Sequence, residues 1–362
     1  MITISLCMIV KNEEETLERI LSQAAPAMDE IIIVDTGSSD RTKEVAEKFT
    51  KNVFDFAWKD DFSAARNFAV SKATMEYWMW LDADDVLPPR ELEKLLALKQ
   101  TLDPSIDLVT ARYLTGFSEG QTAALSYERE RLMRTDRHFL WQGRVHEAIS
   151  PAGNVFHSDL VIEHRKIRPG DPDRNLRIYE SMLACGEMLS PRHLFYYGRE
   201  LFDHRRYEEA QRVLESFLHK EDGWSEDKIN TCLLLSQCAC HLGQPDQAFS
   251  FLGESFHFGT PRPEIFCALG QLLLEENAYE AAIYWFLAAL SAPEVAQSGF
   301  SFPDCREFFP CMQLCVCFDR LGDHKKAYAY HLRAQGQKPN DPAVKYNQKY
   351  FERLGIAPNP NT

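Results

Sequence analysis

Three carboxylates stand within four residues, directly after an apolar run. Asp82, Asp84 and Asp85 follow residues 77–81. Like charges held this close repel one another, so a bound cation or hydrogen-bond donors must offset them. The Asp-x-Asp spacing at a strand end lets two carboxylates point at one place, and such hard oxygen ligands suit Mg²⁺ or Mn²⁺ bridging a diphosphate. An acidic turn that caps the helix after Pro88 is the alternative interpretation.

Two further charged residues are placed to serve the same site. Asp35 also stands at the end of an apolar run, and Arg66 lies near the start of a predicted helix. At that position the charge of the arginine and the helix dipole both favour an anion. A nucleotide needs this combination, because it requires a carboxylate for its base or ribose, a cation, and a metal for its phosphates.

The segment that holds these residues alternates predicted strands and helices. Apolar runs predict strands at 4–10, 30–35, 52–56 and 77–81, and helices at 13–23, 63–72 and 90–100. A further helix is predicted from an Asp40 cap to Phe49. The βαβα order indicates a mostly parallel sheet, which binds ligands at the carboxyl ends of its strands. Strands and loops then continue to about His164.

The second half is predicted to be helical and repetitive. A small residue recurs twelve positions before an alanine in four pairs: Gly198 and Ala210, Ser236 and Ala248, Gly270 and Ala282, Cys315 and Ala327. These alanines are 38, 34 and 45 residues apart, close to the 34-residue tetratricopeptide period. Four such units can form one continuous core that presents a concave surface to a peptide or partner chain. An ordinary helical bundle, or repeats that serve only stacking or dimerisation, are the alternatives.

Composition excludes several classes of protein. The 362 residues include 40 basic and 54 acidic side chains, a net charge of −14, which disfavours nucleic-acid and anionic-membrane binding. No apolar run approaches the roughly 18 residues of a membrane span, and the N-terminal run fits a buried strand better than a signal peptide. The ten cysteines contain no Cys-x-x-Cys pair, so buried thiols in a reducing cytosol are favoured over a zinc site. The sequence predicts a cytoplasmic protein.

Four motifs together resemble the family 2 glycosyltransferases of the GT-A fold. They are CMIVKNEE at 7–14, IVDTGSSDRT at 33–42, ARN at 65–67 and LDADD at 81–85. Their order and spacing match over roughly the first 165 residues. QGRVHE at 142–147 and IEH at 162–164 are similar to a subset of these enzymes with tetratricopeptide tails. Bacterial peptide and protein glycosyltransferases, including the glycocin S-glycosyltransferases, belong to that subset.

The resemblance implies a fold and an activity. It implies an α/β GT-A domain over residues 1–168, with a Rossmann-like, mixed but mostly parallel sheet, and an all-α tetratricopeptide-like domain over 173–355. The implied activity is inverting transfer of a hexosyl group from a nucleotide-sugar, most often a UDP-sugar, with Mn²⁺ or Mg²⁺. By position, Asp35 would contact the uracil and Asp82 the ribose or diphosphate, while Arg66 would help to hold the nucleotide.

The first motif adds two candidates for nucleotide contact. Lys11 and Glu13 lie where the family binds its nucleotide. Lys11 replaces the tyrosine of a Pro-x-Tyr found in many members, and lysine cannot stack on a base as tyrosine does. Asp84 would ligate the metal, and His164 is the candidate second ligand because a neutral imidazole suits manganese.

An inverting transfer needs a base on the face of the sugar opposite the leaving diphosphate. Glu147 matches the acidic residue of the family motif and is the candidate base. His146 would orient it or act as the base itself. Local pairing of Glu147 with Arg144 is the alternative interpretation.

Three arginines precede this motif. All three are candidates for contact with the diphosphate or the acceptor, and Arg134 is the favoured one. Arg129 and Arg131 alternate with glutamates, so a solvated, ion-paired strand explains them at least as well. Trp80 is expected to pack the sheet, and Trp141 is a candidate sugar platform.

The leading interpretation is a metal-dependent glycosyltransferase whose repeats bind or position a protein acceptor. One alternative is a catalytically silent, sugar-nucleotide-binding scaffold. Another is transfer to a glycan or a lipid-linked acceptor. A nucleotidyltransferase on a related sheet is disfavoured, because the N-terminal motif lacks a glycine-rich phosphate loop with a lysine. The sequence discloses neither the sugar nor the acceptor atom, and a homodimer is compatible with it.

Overall fold

A computed structural model describes residues 1–117, 123–168, 170–293 and 302–356. They form two compact units, one of Met1–Gly116 with Ser126–Met188 and one that contains Leu189 onward. The sequence predicted the domain boundary at residue 168, but the helix Arg174–Ala184 belongs to the first unit. This helix contacts the first unit through its side chains: the Tyr179 ring lies 6.3 Å from the His146 ring, and the Arg174 guanidinium lies 4.6 Å from the Phe62 ring.

The first unit contains ten strands and five α-helices among its described residues. The strands are β1 Ile4–Val10, β2 Glu30–Asp35, β3 Val53–Asp55, β4 Tyr77–Trp80, β5 Asp85–Val86, β6 Leu108–Phe117, β7 Ala123–Arg134, β8 Trp141–Gln142, β9 Ala148–Ile149 and β10 Val155–His164. The helices are α1 Leu17–Ala24, α2 Thr42–Glu47, α3 Phe62–Val70, α4 Pro89–Thr101 and α5 Arg174–Ala184.

Eight of the described strands form one mixed sheet in the order β3-β2-β1-β4-β7-β6-β10-β5. β1 pairs in parallel with β2 and β4, and β2 pairs in parallel with β3. β7 is antiparallel to β4, and β10 is parallel to β6 but antiparallel to β5. The predicted mixed, mostly parallel sheet is confirmed, and its parallel part aligns the carboxyl ends of β1, β2 and β4 at one edge.

Both faces of this sheet are covered, which explains the continuous apolar runs. Alternate residues of β1 such as Leu6 pack with Leu17 of α1 and Leu95 of α4. Cys7 points to the other face, where it packs with Trp80 and neighbouring aromatic side chains.

Two helix starts differ from the predictions. α1 begins at Leu17 rather than residue 13, because the Glu13 backbone N–H donates to Thr42 Oγ1 and a turn precedes the helix. Asp40 does not cap a helix that runs to Phe49. Its carboxylate instead accepts from the backbone N–H groups of Thr42 and Glu14, and α2 spans only Thr42–Glu47.

The second unit is built from consecutive helices. They are α6 Pro191–Asp203, α7 Tyr207–Leu218, α8 Ser225–His241, α9 Pro245–Glu254, α10 Pro263–Glu275, α11 Tyr279–Ser291, α12 Phe308–Arg320, α13 His324–Gln337 and α14 Pro342–Arg353. Among the described residues they pair as α6 with α7, α8 with α9, α10 with α11 and α12 with α13. The predicted all-α array is confirmed. No helix in the described part of the chain has the length and apolarity needed to cross a membrane.

The predicted small positions lie where paired helices meet. A Cβ atom added at Gly198 would stand 2.5 Å from Cδ2 of Leu214, and one at Gly270 would stand 2.7 Å from Cε1 of Phe286. Neither distance is compatible with a larger residue in the unchanged packing. The small-residue pattern therefore has a steric cause, namely close approach of the two helices of a pair.

Candidate active site

Arg66 is the centre of a buried ion-pair cluster beside the acidic turn. It lies in the second turn of α3, whose first turn is fixed by the Asp61 carboxylate accepting from the Ala64 backbone N–H at 2.9 Å. Arg66 Nε donates to Glu147 Oε1 at 2.6 Å, and Nη2 donates to Asp82 Oδ1 at 2.8 Å. One guanidinium therefore joins the candidate base to the first carboxylate of the acidic turn.

Two indole rings enclose this guanidinium. Its central carbon lies 4.9 Å from the ring centre of Trp80 and 4.8 Å from that of Trp141. Trp141 is held in place by Asn67, which donates to its carbonyl and accepts from its backbone N–H. Because Trp141 is buried against Arg66 and Trp80, it supports the cluster and does not form the sugar platform that was predicted.

The charges in this cluster stabilise one another. Burial lowers the pKa of Arg66, but the carboxylates of Asp82 and Glu147 raise it above the ordinary arginine value. Burial raises the pKa of Asp82, but attraction from Arg66 and His164 outweighs this and lowers the pKa below the ordinary value. Asp82 is therefore ionised at neutral pH although it is largely enclosed.

Asp85 is fully buried and accepts several hydrogen bonds. Its Oδ1 accepts from the Tyr113 hydroxyl at 2.6 Å and lies 3.1 Å from His164 Nδ1. Its Oδ2 accepts from the Asp82 backbone N–H at 3.0 Å and lies 3.5 Å from Arg131 Nη1. Strand register produces part of this arrangement, because β5 and β10 pair Asp85 directly with His164. Asp85 thus fixes the acidic turn against β10.

Arg131 is a residue whose role sequence reasoning missed. The two interpretations were contact with the diphosphate or acceptor and a solvated strand, but only 1% of its side chain is exposed. Its Nη1 donates to the Trp80 carbonyl at 3.1 Å, and its guanidinium stacks 3.6 Å from the Trp80 ring centre. Strand alternation could have found it, since Arg131 shares a face with Met133, which packs in the same core as Trp80.

The acidic turn and β10 bring potential metal ligands together. Ligand atoms of Asp82, Asp85 and His164 all lie within 4.8 Å of one another. Asp84 Oδ1 lies 3.2 Å from His164 Nδ1. The sequence predicted Asp84 and His164 as ligands. The cluster contains His164 with Asp82 and Asp85, and Asp84 lies next to it through its contact with His164. Carboxylates with one imidazole fit a hard divalent cation such as Mg²⁺ or Mn²⁺.

Asp84 differs from its neighbours in how its charge is compensated. Arg66 pairs with Asp82 and Arg131 with Asp85, whereas the Asp84 carboxylate lies against His164. Burial and repulsion from the other acidic groups raise the pKa of Asp84 to about 6. A divalent cation would supply the compensation that this carboxylate needs, which fits the predicted role of Asp84.

Asp35 has an unused acceptor at the end of β2. Its Oδ1 accepts from the backbone N–H groups of Gly37 and Ser38 at 2.9 and 2.8 Å. Its Oδ2 is buried and has no hydrogen-bond partner among the residues that the structure describes. A buried carboxylate oxygen requires a donor, and the N–H of a nucleotide base is a suitable one.

Lys11 and Glu13 follow β1 at the same edge of the sheet. Val10, the last residue of β1, pairs with Asp35, the last residue of β2. The exposed Lys11 follows Val10 directly. Glu13 accepts from the Thr16 hydroxyl at 2.6 Å, and burial raises its pKa. Lys11 therefore follows the strand residue beside Asp35, whereas the charges of Asp82 and Asp40 act on Glu13. Their contact with a nucleotide stays a prediction.

His146 and Glu147 are adjacent but face different surroundings. His146 has a left-handed backbone with a φ of 50°, and its ring stacks on Tyr179 of α5 at 6.3 Å. Glu147 bonds Arg66, while the ion pair of Arg144 is with Glu187. The geometry therefore places Glu147, and not His146, in the Arg66 cluster.

Known proteins that resemble this chain include glycosyltransferases and a protein with TPR repeats. The model for "Glycosyl transferase family 2" matches residues 5–160. A TPR repeat-containing protein of Synechococcus elongatus is 30% identical over 301 residues, which cover 81% of this chain and 67% of that protein. The chain belongs to glycosyltransferase family 2. Its first unit is a glycosyltransferase domain.

Other similar proteins of this family 2 glycosyltransferase share only part of their length with it. The SPbeta prophage-derived glycosyltransferase SunS of Bacillus subtilis is 28% identical over 263 residues, 65% of this chain and 59% of SunS. Glucosyl-3-phosphoglycerate synthase of Mycobacterium tuberculosis, solved with Mn²⁺ and UDP-glucose, is 18% identical, with a TM-score of 0.37, and covers 52% of this chain and 81% of that chain. MamA is 19% identical, with a TM-score of 0.35, and covers 44% and 85%.

One predicted site residue of this family 2 glycosyltransferase lies elsewhere. Arg134 pairs with Tyr77 at the amino end of β4, whereas the acidic turn follows the opposite, carboxyl end. Its guanidinium donates to the Pro104 carbonyl and to Asp136. This corrects the prediction that Arg134 contacts the diphosphate or the acceptor, because β4 separates the two positions by about 10 Å.

Proposed function

We propose that this chain is an inverting, divalent-metal-dependent glycosyltransferase that moves a sugar from a UDP-sugar to a protein or peptide. The observation that carries this proposal is the joining of Glu147 to Asp82 through Arg66, beside the cluster of Asp85 and His164. A base and a metal-binding turn are thus held together at the carboxyl edge of the sheet, where such folds bind nucleotides.

Recognition of the uracil base is assigned to Asp35. Its buried Oδ2 needs an N–H donor, and uracil offers one at N3 whereas cytosine does not. The exposed ammonium group of Lys11 comes from the neighbouring strand and adds positive charge for the phosphates. The N3–H of uracil and the resemblance to enzymes that use UDP-sugars together make a uridine nucleotide the donor in this proposal.

The divalent metal would be held by Asp84 and His164, with a carboxylate oxygen of Asp82 or Asp85. The donor set fits the ion, because it combines carboxylate oxygens with one imidazole. When bound, Mn²⁺ or Mg²⁺ stabilises the negative charge that develops on the leaving diphosphate. Asp85 keeps the turn in place through its bonds to Tyr113 and His164.

Glu147 is assigned the role of general base. It accepts the proton of an acceptor hydroxyl or thiol while that oxygen or sulfur attacks the anomeric carbon. The bond from this carbon to the diphosphate oxygen breaks, and UDP leaves with the electron pair. Attack from the side opposite the leaving group in a single displacement inverts the anomeric configuration.

The helical repeats are assigned to the acceptor. Stacked helix pairs offer extended surfaces suited to a peptide chain, and the relative from S. elongatus, which covers most of this chain, is named for its TPR repeats. The sugar and the acceptor atom are left for experiment.

The proposal is tested by donor turnover. The purified full-length chain is incubated with Mn²⁺ and UDP-glucose, UDP-galactose or UDP-N-acetylglucosamine, and released UDP is measured. We expect release that EDTA abolishes and Mn²⁺ restores. Release that is insensitive to EDTA, or no release with any nucleotide-sugar, would contradict the proposal. Mass spectrometry of a native lysate after transfer of labelled sugar then identifies the acceptor.

A further inference from the structure

We infer that Arg66 is a positioning residue that acts through Glu147, and that it does not bind the nucleotide. This inference rests on the proposed function, because Glu147 is the base in that function. It differs from what the sequence motif implied, which was that Arg66 would help to hold the nucleotide.

The contacts of Arg66 already occupy two of its three nitrogens. Nε is bonded to Glu147 and Nη2 to Asp82. Nη1 has no hydrogen-bond partner within the described ranges, but it is itself buried. The side chain is only 10% exposed, and the rings of Trp80 and Trp141 enclose it.

The two bonds of Arg66 fix a distance that the reaction needs. Glu147 must stand close to the acceptor, and Asp82 must stand close to the donor, so the rigid guanidinium sets the separation between the two substrates. Because Arg66 binds Oε1 of Glu147, we assign proton acceptance to the other oxygen, Oε2. Only 11% of the Glu147 side chain is exposed, so the surrounding protein also limits its freedom to turn away from Arg66.

Arginine is the residue type that can do this. Its planar fork directs Nε and Nη2 at two separate carboxylates, whereas lysine concentrates its charge on one nitrogen. Removal of the guanidinium would leave Glu147 and Asp82 enclosed without their common counter-ion. We expect such a variant still to bind the nucleotide-sugar donor, but with Glu147 displaced from the position in which it can accept the proton.

The test is a double-mutant cycle on the full chain, with UDP-sugar hydrolysis by Mn²⁺-loaded protein as the reaction. In that reaction a water oxygen attacks the anomeric carbon, Glu147 takes its proton, and UDP leaves. The variants are Arg66→Gln, Glu147→Gln and their combination, with Arg112→Gln on the exposed face of β6 as the control for loss of an arginine. Arg66→Lys tests whether charge alone is enough.

We expect Arg66→Gln to lower kcat about 100-fold, with the KM for the donor and the Kd for UDP changed less than about threefold. In the Glu147→Gln background the same substitution should lower kcat less than about threefold. Arg66→Lys should recover only part of the loss, and Arg112→Gln should match the wild type. If Arg66→Gln does not fold, Arg66→Lys takes its place in the cycle.

Two results would overturn the inference while leaving the proposed function intact. The first is a raised KM with an unchanged kcat, which is the signature of a nucleotide ligand. The second is a double variant whose loss of kcat equals the product of the losses in Arg66→Gln and Glu147→Gln, because independent effects multiply. Absence of UDP release by the wild-type chain would instead overturn the proposed function, and this inference with it.

Discussion

Glu147 Oε1 lies 2.6 Å from Arg66 Nε, although the two residues are 81 positions apart in the chain. α3 delivers the arginine, and the turn between β8 and β9 delivers the glutamate. The ion pair is therefore a product of tertiary structure. Because Arg66 also bonds Asp82, it connects the QGRVHE motif, which contains Glu147, to the acidic turn after β4. The expected effects of substitutions follow from this arrangement.

Replacement of the base should stop turnover without releasing the nucleotide. Glu147→Gln keeps the size of the side chain and a carbonyl oxygen for Arg66, but it removes the proton acceptor. We expect kcat for UDP release to fall about 10²- to 10⁴-fold, with UDP binding by calorimetry changed little. Glu93→Gln, on the exposed side of α4, serves as the matched control. Retention of wild-type kcat in Glu147→Gln would transfer the role of base to another group.

The metal site should lose affinity when Asp84 is replaced. Mn²⁺ together with UDP is expected to raise the Tm of the wild-type chain, because a ligand that binds only the folded state stabilises it. Asp84→Asn should lose most of this increase and the Mn²⁺-dependent UDP release with it. Asp246→Asn, at an exposed position of α9, should behave as the wild type. An unchanged Mn²⁺ response in Asp84→Asn would remove Asp84 from the ligand set.

Recognition of the base should depend on the unpartnered oxygen of Asp35. Asp35→Asn replaces this charged acceptor, and hydrogen bonds to charged groups contribute about 1.5–3 kcal/mol. We therefore expect the Kd for UDP to rise about 10- to 100-fold, while the Mn²⁺ requirement remains. Calorimetric titration with UDP and with CDP checks the assignment. Equal affinities for the two nucleotides in the wild type would contradict recognition of uracil N3 by Asp35.

Packing between helix pairs should not tolerate a methyl group at Gly270. Its added Cβ would stand 2.7 Å from the Phe286 ring, and overpacking of this kind costs about 1–3 kcal/mol. Gly253 offers the control, since a Cβ there meets nothing within 4 Å. Urea denaturation should show a lower free energy of unfolding for Gly270→Ala and an equal or higher one for Gly253→Ala. Equal effects at both positions would argue against close helix packing at Gly270.

Asp227 of α8 should make stability depend on pH. Burial raises its pKa to about 6, although Arg192 and Arg199 oppose the shift. A carboxyl group whose pKa is higher in the folded state destabilises that state as pH rises above the unfolded value of about 4, and fully so above about 6. Asp227→Asn should therefore stabilise the chain by about 2–3 kcal/mol at pH 8 relative to its effect at pH 4. If the free energies of unfolding of Asp227→Asn and the wild type differ by the same amount at pH 4 and pH 8, Asp227 does not cause the pH dependence.

Local pattern was enough to predict the elements and the acidic turn. The β-branched run at 30–35 and the aromatic run at 77–81 are strands within one residue of the prediction. The glycine and alanine positions of the repeats all lie on paired helices, because a 3.6-residue period and close helix packing leave a direct trace in the sequence. Asp35 and Asp82 were predicted at one edge because parallel strands align their carboxyl ends.

Tertiary structure alone decided which charged side chains meet. Arg131 and Arg134 belong to the same strand, yet the antiparallel register of β7 against β4 puts Arg131 against Trp80 and Asp85 and puts Arg134 at the far end. Strand alternation puts the two on opposite faces, but it does not say which end of β4 each one reaches, since register is set by pairing across the sheet. The same holds for Arg66, whose partner Glu147 is distant in the chain. The sequence supplied the chemistry, and long-range pairing selected the groups that share a site.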